Sequence, residues 1–324
     1  MTDLPAYRAP RWLPGGHLQT VWPALFAPRA RVNLRRERWT TPDGDFLDID
    51  RIDAPQGAAA PLVVLFHGLE GSAGSPYARA LMAAVAARGW HGAVAHFRGC
   101  SGELNLAPRA YHSGDADEID WILRRFATEP ASAGQPLFAA GVSLGGNALL
   151  KWLGERGEAA AFVRAAAAVC PPQDLHAGAV ALSRGLSLGY TRHFLASLKR
   201  KSLGKLAQHP GLFDRDRMLA ARDFFDFDEV VTAPMHGFAG CMDYWQRSSC
   251  RQFLGGIRVP TRVLNALNDP FLPPQALARP AEVASCVRLH YSAQGGHVGF
   301  HAGQPGRRGD WLADYLLACF DEHR

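Results

Sequence analysis

The five residues Gly141-Val142-Ser143-Leu144-Gly145 follow the pattern GxSxG, with a serine hydroxyl set between two glycines. Where the chain turns sharply from a strand into a helix, such a serine is exposed and can attack an acyl carbon. At neutral pH the hydroxyl is a weak nucleophile. It needs an imidazole to take its proton and a carboxylate to fix the imidazole tautomer. Two later residues supply these groups in the order serine, acid, histidine: Asp269, in Asn268-Asp269-Pro270, and His297, in Gly295-Gly296-His297. Acyl transfer also needs two backbone N–H donors for the developing oxyanion, and losing one typically costs about 10²–10³ in rate. Leu144, next to the serine, offers one. The loop His67-Gly68-Leu69-Glu70-Gly71 offers Leu69 as the other and leaves His67 to shape the turn.

Rival residues fit less well. His290 falls inside an apolar run, His301 lies four residues beyond His297, and His236 lies far from any strand end. Asp174, Asp228 and Asp243 fall in or beside a stretch without strand signals. No HExxH or paired His/Cys spacing occurs, so no metal is expected. GxGxxG after a first strand and GxxxxGK[ST] are also missing, so no nucleotide cofactor is expected either.

The elements that must hold these residues can be read from hydrophobic patterning. Residues 35–52 read as two extended segments around the turn Pro42-Asp43-Gly44, an antiparallel hairpin. Unbroken apolar runs at 62–66, 92–97, 137–142 and 165–169 alternate with helical patterns at 77–88, 115–127 and 144–157. Strands without polar alternation, separated by helices, predict a mostly parallel sheet covered on both faces, the α/β class. After Pro171-Pro172 the strand signals lapse. Helical pieces at 178–186, 194–203 and 217–225 suggest an insertion over 173–256 that lies above the sheet as a lid. Its segments Leu186-Ser187-Leu188 and Phe224-Phe225 could line an acyl pocket or serve as ordinary core. Strands resume at 261–267 and 287–291, and a helix over 310–320 closes a single domain of 1–324.

With 48% hydrophobic residues among 324, the chain has ample material for a core. Its net charge of +5 is scattered; Arg35-Arg36-Glu37-Arg38 and Lys199-Arg200-Lys201 are too short to argue for a nucleic-acid groove. The same charge permits weak contact with anionic membrane surfaces. Cys100, Cys170, Cys241, Cys250, Cys286 and Cys319 contain no CxxC pair and read as reduced thiols. The opening Met1-Thr2-Asp3-Leu4-Pro5 lacks a secretory pattern, and no apolar stretch reaches the roughly 18 residues of a spanning helix. A cytoplasmic protein is expected.

Beyond GxSxG, further motifs carry a resemblance. They are Gly16-His17-Leu18-Gln19-Thr20, His67-Gly68-Leu69-Glu70-Gly71-Ser72, Phe97-Arg98-Gly99-Cys100-Ser101-Gly102, Thr232-Ala233-Pro234, His236-Gly237-Phe238, Asn268-Asp269-Pro270-Phe271 and Gly295-Gly296-His297-Val298-Gly299-Phe300. Nearly end to end, the chain resembles the YheT-like branch of the α/β-hydrolases, related to mammalian ABHD1- and ABHD3-type hydrolases. The resemblance implies the α/β-hydrolase fold, a triad on Ser143, Asp269 and His297, and hydrolysis of carboxylic esters with short or medium acyl chains. It extends to monoacylglycerols and phospholipids as substrates. At Asn268 the family often has a second Asp. Thioesterase, amidase and acyltransferase chemistry can use the same triad, and a non-catalytic receptor for lipids or small ligands is the alternative from outside enzymes.

Overall fold

The computed structural model describes residues 6–55, 57, 59–129, 134–309 and 311–324. Met1–Pro5, on which the leader-peptide reading falls, and Asp310, the expected start of the closing helix, lie outside the described residues. The elements run α1 (Gly16–Leu25), β1 (Arg35–Thr40), β2 (Phe46–Ile52), β3 (Leu62–Phe66), α2 (Pro76–Ala87), β4 (His91–Ala95), α3 (Ala116–Thr128), β5 (Leu137–Val142), α4 (Leu144–Arg156) and β6 (Ala165–Val169). After β6 come α5 (Leu175–Leu182), α6 (Leu188–Gln208), α7 (Arg215–Ala220), α8 (Phe224–Phe227), α9 (Ala233–Met235) and α10 (Cys241–Ser248). Finally β7 (Thr261–Ala266), β8 (Val287–Ser292) and α11 (Trp311–Asp321) complete the chain.

Among the described residues, eight strands form one sheet in the order β1-β2-β4-β3-β5-β6-β7-β8. Only β1 and β2 run antiparallel to their neighbours; every pair from β4 to β8 is parallel. This is the α/β-hydrolase architecture. The apolar runs are unbroken because both sheet faces are covered. In β3, Leu62, Val64 and Phe66 pack with Ile119, Phe126 and Trp152 of α3 and α4, while Val63 and Leu65 pack with Leu81, Tyr315 and Phe320 of α2 and α11. At about 25 cal/mol per Å² of buried apolar surface, a sheet sandwiched in this way is held mainly by apolar burial.

The helix read over 217–225 is two helices. Asp214 caps α7 by accepting from Arg217 N–H, and Asp223 caps α8 by accepting from Asp226 N–H. A second N-cap aspartate nine residues after the first restarts the helix instead of continuing it. The piece read over 178–186 starts earlier, at Leu175, and its α-helical part ends at Leu182. The piece read over 194–203 is the middle of a 21-residue helix, α6.

The hairpin end nearest the loop after β4 is an ionic junction. Arg98 donates to Asp45 (2.8 Å), Asp43 (2.8 Å) and Glu118 (2.5 Å), and Asn105 donates to Asp45 (2.7 Å). Burial alone would raise the Asp45 pKa, but Asn105 and the amides of Leu106, Phe46 and Ala107 outweigh it and hold the carboxyl at about 2. In the unfolded chain the value is about 3.9. A carboxyl whose folded pKa is depressed stabilises the fold above its unfolded pKa, and that stability is lost as pH falls through the folded one. Asp45→Asn is therefore expected to cost about 2 kcal/mol at neutral pH and to flatten the stability loss between about pH 4 and 2, read by urea denaturation across that range.

Candidate active site

Ser143 closes β5 and caps α4 with φ 51° and ψ −121°, a left-handed turn that an L-residue adopts at a cost of order 1–3 kcal/mol. The turn is that tight because α4 starts against strand backbone. A Cβ on Gly145 would stand 2.4 Å from the His67 carbonyl oxygen, and one on Gly141 would stand 2.6 Å from the Gly145 carbonyl oxygen. Both glycines are thus required by close approach. Together they leave the Ser143 side chain free above the C-terminal edge of the sheet.

Three strand ends converge there. Asp269 lies three residues beyond β7 and His297 five beyond β8. Ser143 Oγ is 2.9 Å from His297 Nε2, and His297 Nδ1 is 2.8 Å from Asp269 Oδ2. The Asp269 carboxylate and the His297 ring are almost wholly buried. Asp269 Oδ1 accepts from the Phe271 amide (2.8 Å), and the Phe271 ring stacks on His297 with centroids 4.0 Å apart. A carboxylate on Nδ1 keeps the proton there and leaves Nε2 free to accept the serine proton.

The loop after β3 presents three consecutive amides. Gly68 N–H donates to Tyr77 Oη and Glu70 N–H to Tyr111 Oη, each at 2.9 Å. Between them, Leu69 N–H donates to no described protein group. A Cβ on Gly68 would lie 3.1 Å from Ser143 Cβ, so the loop passes close over the serine. Leu144 N–H, at the first turn of α4, is among the amides that a helix leaves without internal partners. His67 is fully buried; its Nε2 accepts from Phe97 N–H (3.1 Å), so Nδ1 carries the hydrogen that is donated to the Gly68 carbonyl (2.8 Å). Burial pushes its pKa down to about 3, which keeps the ring neutral and a fixed strut of the loop.

Several residues that stand in the sequence motifs have positioning contacts that the sequence does not reveal. Thr20 Oγ1 on α1 accepts from the His297 amide (2.8 Å). Buried Gln19 Oε1 accepts from Gly295 N–H and from Asn268 Nδ2, both at 2.9 Å, and Asn268 Oδ1 accepts from Gly296 N–H (3.0 Å). The helix α1 therefore ties the loop bearing the acid to the loop bearing the histidine. A Cβ on Gly16 would lie 1.9 Å from the Asn268 carbonyl oxygen, so this junction is in backbone contact. A second tie reaches from α6: Lys201 Nζ (2.7 Å) and Ser197 Oγ donate to the Glu70 carboxylate, which also accepts from Tyr111 Oη (2.9 Å). The stretch Gly16-His17-Leu18-Gln19-Thr20 was visible as a motif, but its partners lie some 250 residues away.

The rival residues are engaged elsewhere. His290 meets Tyr315 Oη (3.0 Å), His236 packs on His112, and buried His301 packs against Trp22. Asp174 caps α5, Asp243 accepts from Ala239 N–H, and buried Asp228 accepts from Trp245 Nε1 (2.8 Å) and Thr232 Oγ1. All six cysteines are free thiols. Cys170 lies beside Asp269 and His297 and accepts from Val298 N–H (3.4 Å), and burial raises its pKa, which keeps it a protonated packing group.

Two cavities meet at Ser143. One, of about 780 Å³, opens between α1, α2 and α6; the other, of about 100 Å³, lies beneath α5 and α10. Both touch Ser143, His297, Leu69 and Phe271. Leu186 lines the larger and Phe224 the smaller, whereas Phe225 packs against Trp245 as core. No described helix is long and apolar enough to cross a membrane.

A family model described as alpha/beta hydrolase fold matches residues 61–304. The YheT protein of Escherichia coli strain K12, a candidate esterase, is 39% identical over 313 residues, covering 93% of this chain and 91% of that one. Mouse phospholipase ABHD3 is 29% identical over 298 residues, covering 88% and 71% of the two chains. Among solved structures, an esterase of Pyrococcus furiosus superposes with a TM-score of 0.57 at 14% identity, covering 93% of this chain and 98% of that one, a likeness of fold.

Proposed function

Since the chain belongs to the alpha/beta hydrolase fold family and to its YheT-like branch, we propose that it is a serine carboxylic-ester hydrolase acting through an acyl-enzyme. The observation that carries this reading is the hydrogen-bonded chain from Ser143 Oγ through His297 to Asp269, with both links under 3 Å. His297 Nε2 takes the Ser143 proton as Oγ attacks the ester carbonyl. The amides of Leu69 and Leu144 hold the oxyanion, and His297 then passes its proton to the leaving alcohol. Water, deprotonated by His297, attacks the acyl-enzyme; collapse frees the acid and returns the proton to Ser143.

The small cavity suits a short or medium acyl chain, and the large one suits the alcohol portion. In this reading residues 173–256 are a lid within one domain, and six free thiols fit a cytoplasmic setting. A second reading, a lipase acting on monoacylglycerols or phospholipids, is favoured by the size and apolar walls of the large cavity. The test begins with a fluorophosphonate probe and mass mapping of the labelled peptide. Adduct on Ser143 is expected; an unlabelled protein would be a binding module and would sink the enzymatic reading. With p-nitrophenyl esters of rising chain length, kcat/KM is expected to peak at short to medium chains and then fall. Comparison with a monoacylglycerol ranks the second reading.

A further inference from the structure

The mouth of the large cavity is built by two elements of one character. Leu25 on α1 and Leu186 before α6 both line it, yet they are 67% and 78% exposed. Phe26 and Leu18 extend the α1 side at 65% and 52% exposure. The two elements adjoin, because His17 Nδ1 on α1 lies 3.1 Å from Tyr190 Oη on α6 with the rings stacked. Large side chains exposed together at a cavity mouth mark a surface that meets an apolar phase.

Charge follows the same two segments. Residues 4–36 and 175–213 each contain six Lys or Arg and no Asp or Glu, whereas the rest of the chain holds 23 Lys or Arg against 30 acids. Arg29, Arg31, Arg184 and Arg192 are exposed, and no described carboxylate pairs with them. A second copy of this face would repel its twin, since a two-fold dimer apposes like with like. Nucleic acid has no use for an apolar rim. An anionic lipid surface satisfies both features, because basic residues are drawn to its charge while apolar side chains enter the headgroup boundary.

We infer that the rim formed by α1 and the segment leading into α6 docks on a bilayer surface carrying anionic lipids. A lipidic ester then enters the large cavity from the membrane without crossing water. This goes beyond the hydrolase reading and is measured without it, on Ser143→Ala protein. Co-sedimentation is run with vesicles of three parts phosphatidylcholine to one part phosphatidylglycerol, and with phosphatidylcholine alone. Binding to the anionic vesicles at low salt is expected, weakened by high salt as the charges are screened. The combined change Arg29→Gln, Arg31→Gln, Arg184→Gln and Arg192→Gln is expected to weaken it roughly a hundredfold, and Leu18→Ser with Phe26→Ser roughly tenfold. None of these six side chains lines the cavity; with Ser143 intact, turnover of soluble p-nitrophenyl butyrate should stay at the parent rate, and circular dichroism reports the fold independently. No binding to anionic vesicles, equal binding to both vesicle types, or variants that bind like the parent would overturn the inference. A change of oligomeric state in the Leu18/Phe26 variant would assign the face to a second copy and overturn it as well.

Discussion

Ser143→Ala is expected to lower kcat on p-nitrophenyl butyrate by roughly 10⁵-fold or more, the scale seen when a triad loses its nucleophile. The loss follows from the geometry. Among the described residues, Ser143 Oγ is the group that meets His297 Nε2 within hydrogen-bond reach, at 2.9 Å. The fold should tolerate the change, because the serine side chain makes that one contact and the elbow is held by backbone, with Ser143 N–H donating to the Val169 carbonyl (2.8 Å). Substrate binding should persist, since the cavities are walled by other residues. Residual turnover of ~10³ above water would reflect the amides of Leu69 and Leu144 acting alone. A variant that cleaves at the parent rate, with unchanged circular dichroism, would remove Ser143 from the chemistry altogether.

Local chemistry decides which parts of such a site can be read from a chain alone. That Ser143, Asp269 and His297 meet at one place was legible because each follows an apolar strand, and strand ends in a parallel sheet share an edge. The strands themselves were legible because burial on both faces leaves an unbroken apolar signature, as in Leu62-Val63-Val64-Leu65-Phe66. What supports the triad was not. Gln19 and Thr20 stand out as part of a motif, but nothing nearby hints that they bond to a loop 276 and 277 residues later. Tyr77 and Tyr111 occupy the amides on either side of Leu69 through contacts that hydrophobic periodicity cannot encode. The same holds for Lys201, whose basic neighbours suggest a solvated patch while its own ammonium reaches Glu70. Pairings of this kind depend on the finished topology, and only sequence separations of a few residues leave a periodic trace.

Asp269→Asn carries the second large effect, a fall in kcat of about 10⁴-fold with the fold intact. The hydrogen bonds fix which atom would face the histidine. Asp269 Oδ1 accepts from Phe271 N–H, a bond that an amide nitrogen cannot replace. In the variant, the amide oxygen therefore keeps the Oδ1 position and the amide nitrogen takes that of Oδ2, 2.8 Å from His297 Nδ1. An N–H directed at Nδ1 forces the imidazole proton onto Nε2. The ring then donates to Ser143 Oγ where it must accept, and the serine cannot be deprotonated. Fluorophosphonate labelling of Ser143 should slow in parallel with kcat, while KM moves little, because the defect lies in the proton transfer and not in the cavities. Near-normal turnover would transfer the acid's role to another carboxylate. Of the rival aspartates, Asp228 lines the smaller cavity but is engaged elsewhere: burial raises its pKa to about 6, and its two oxygens already serve Thr232 and Trp245.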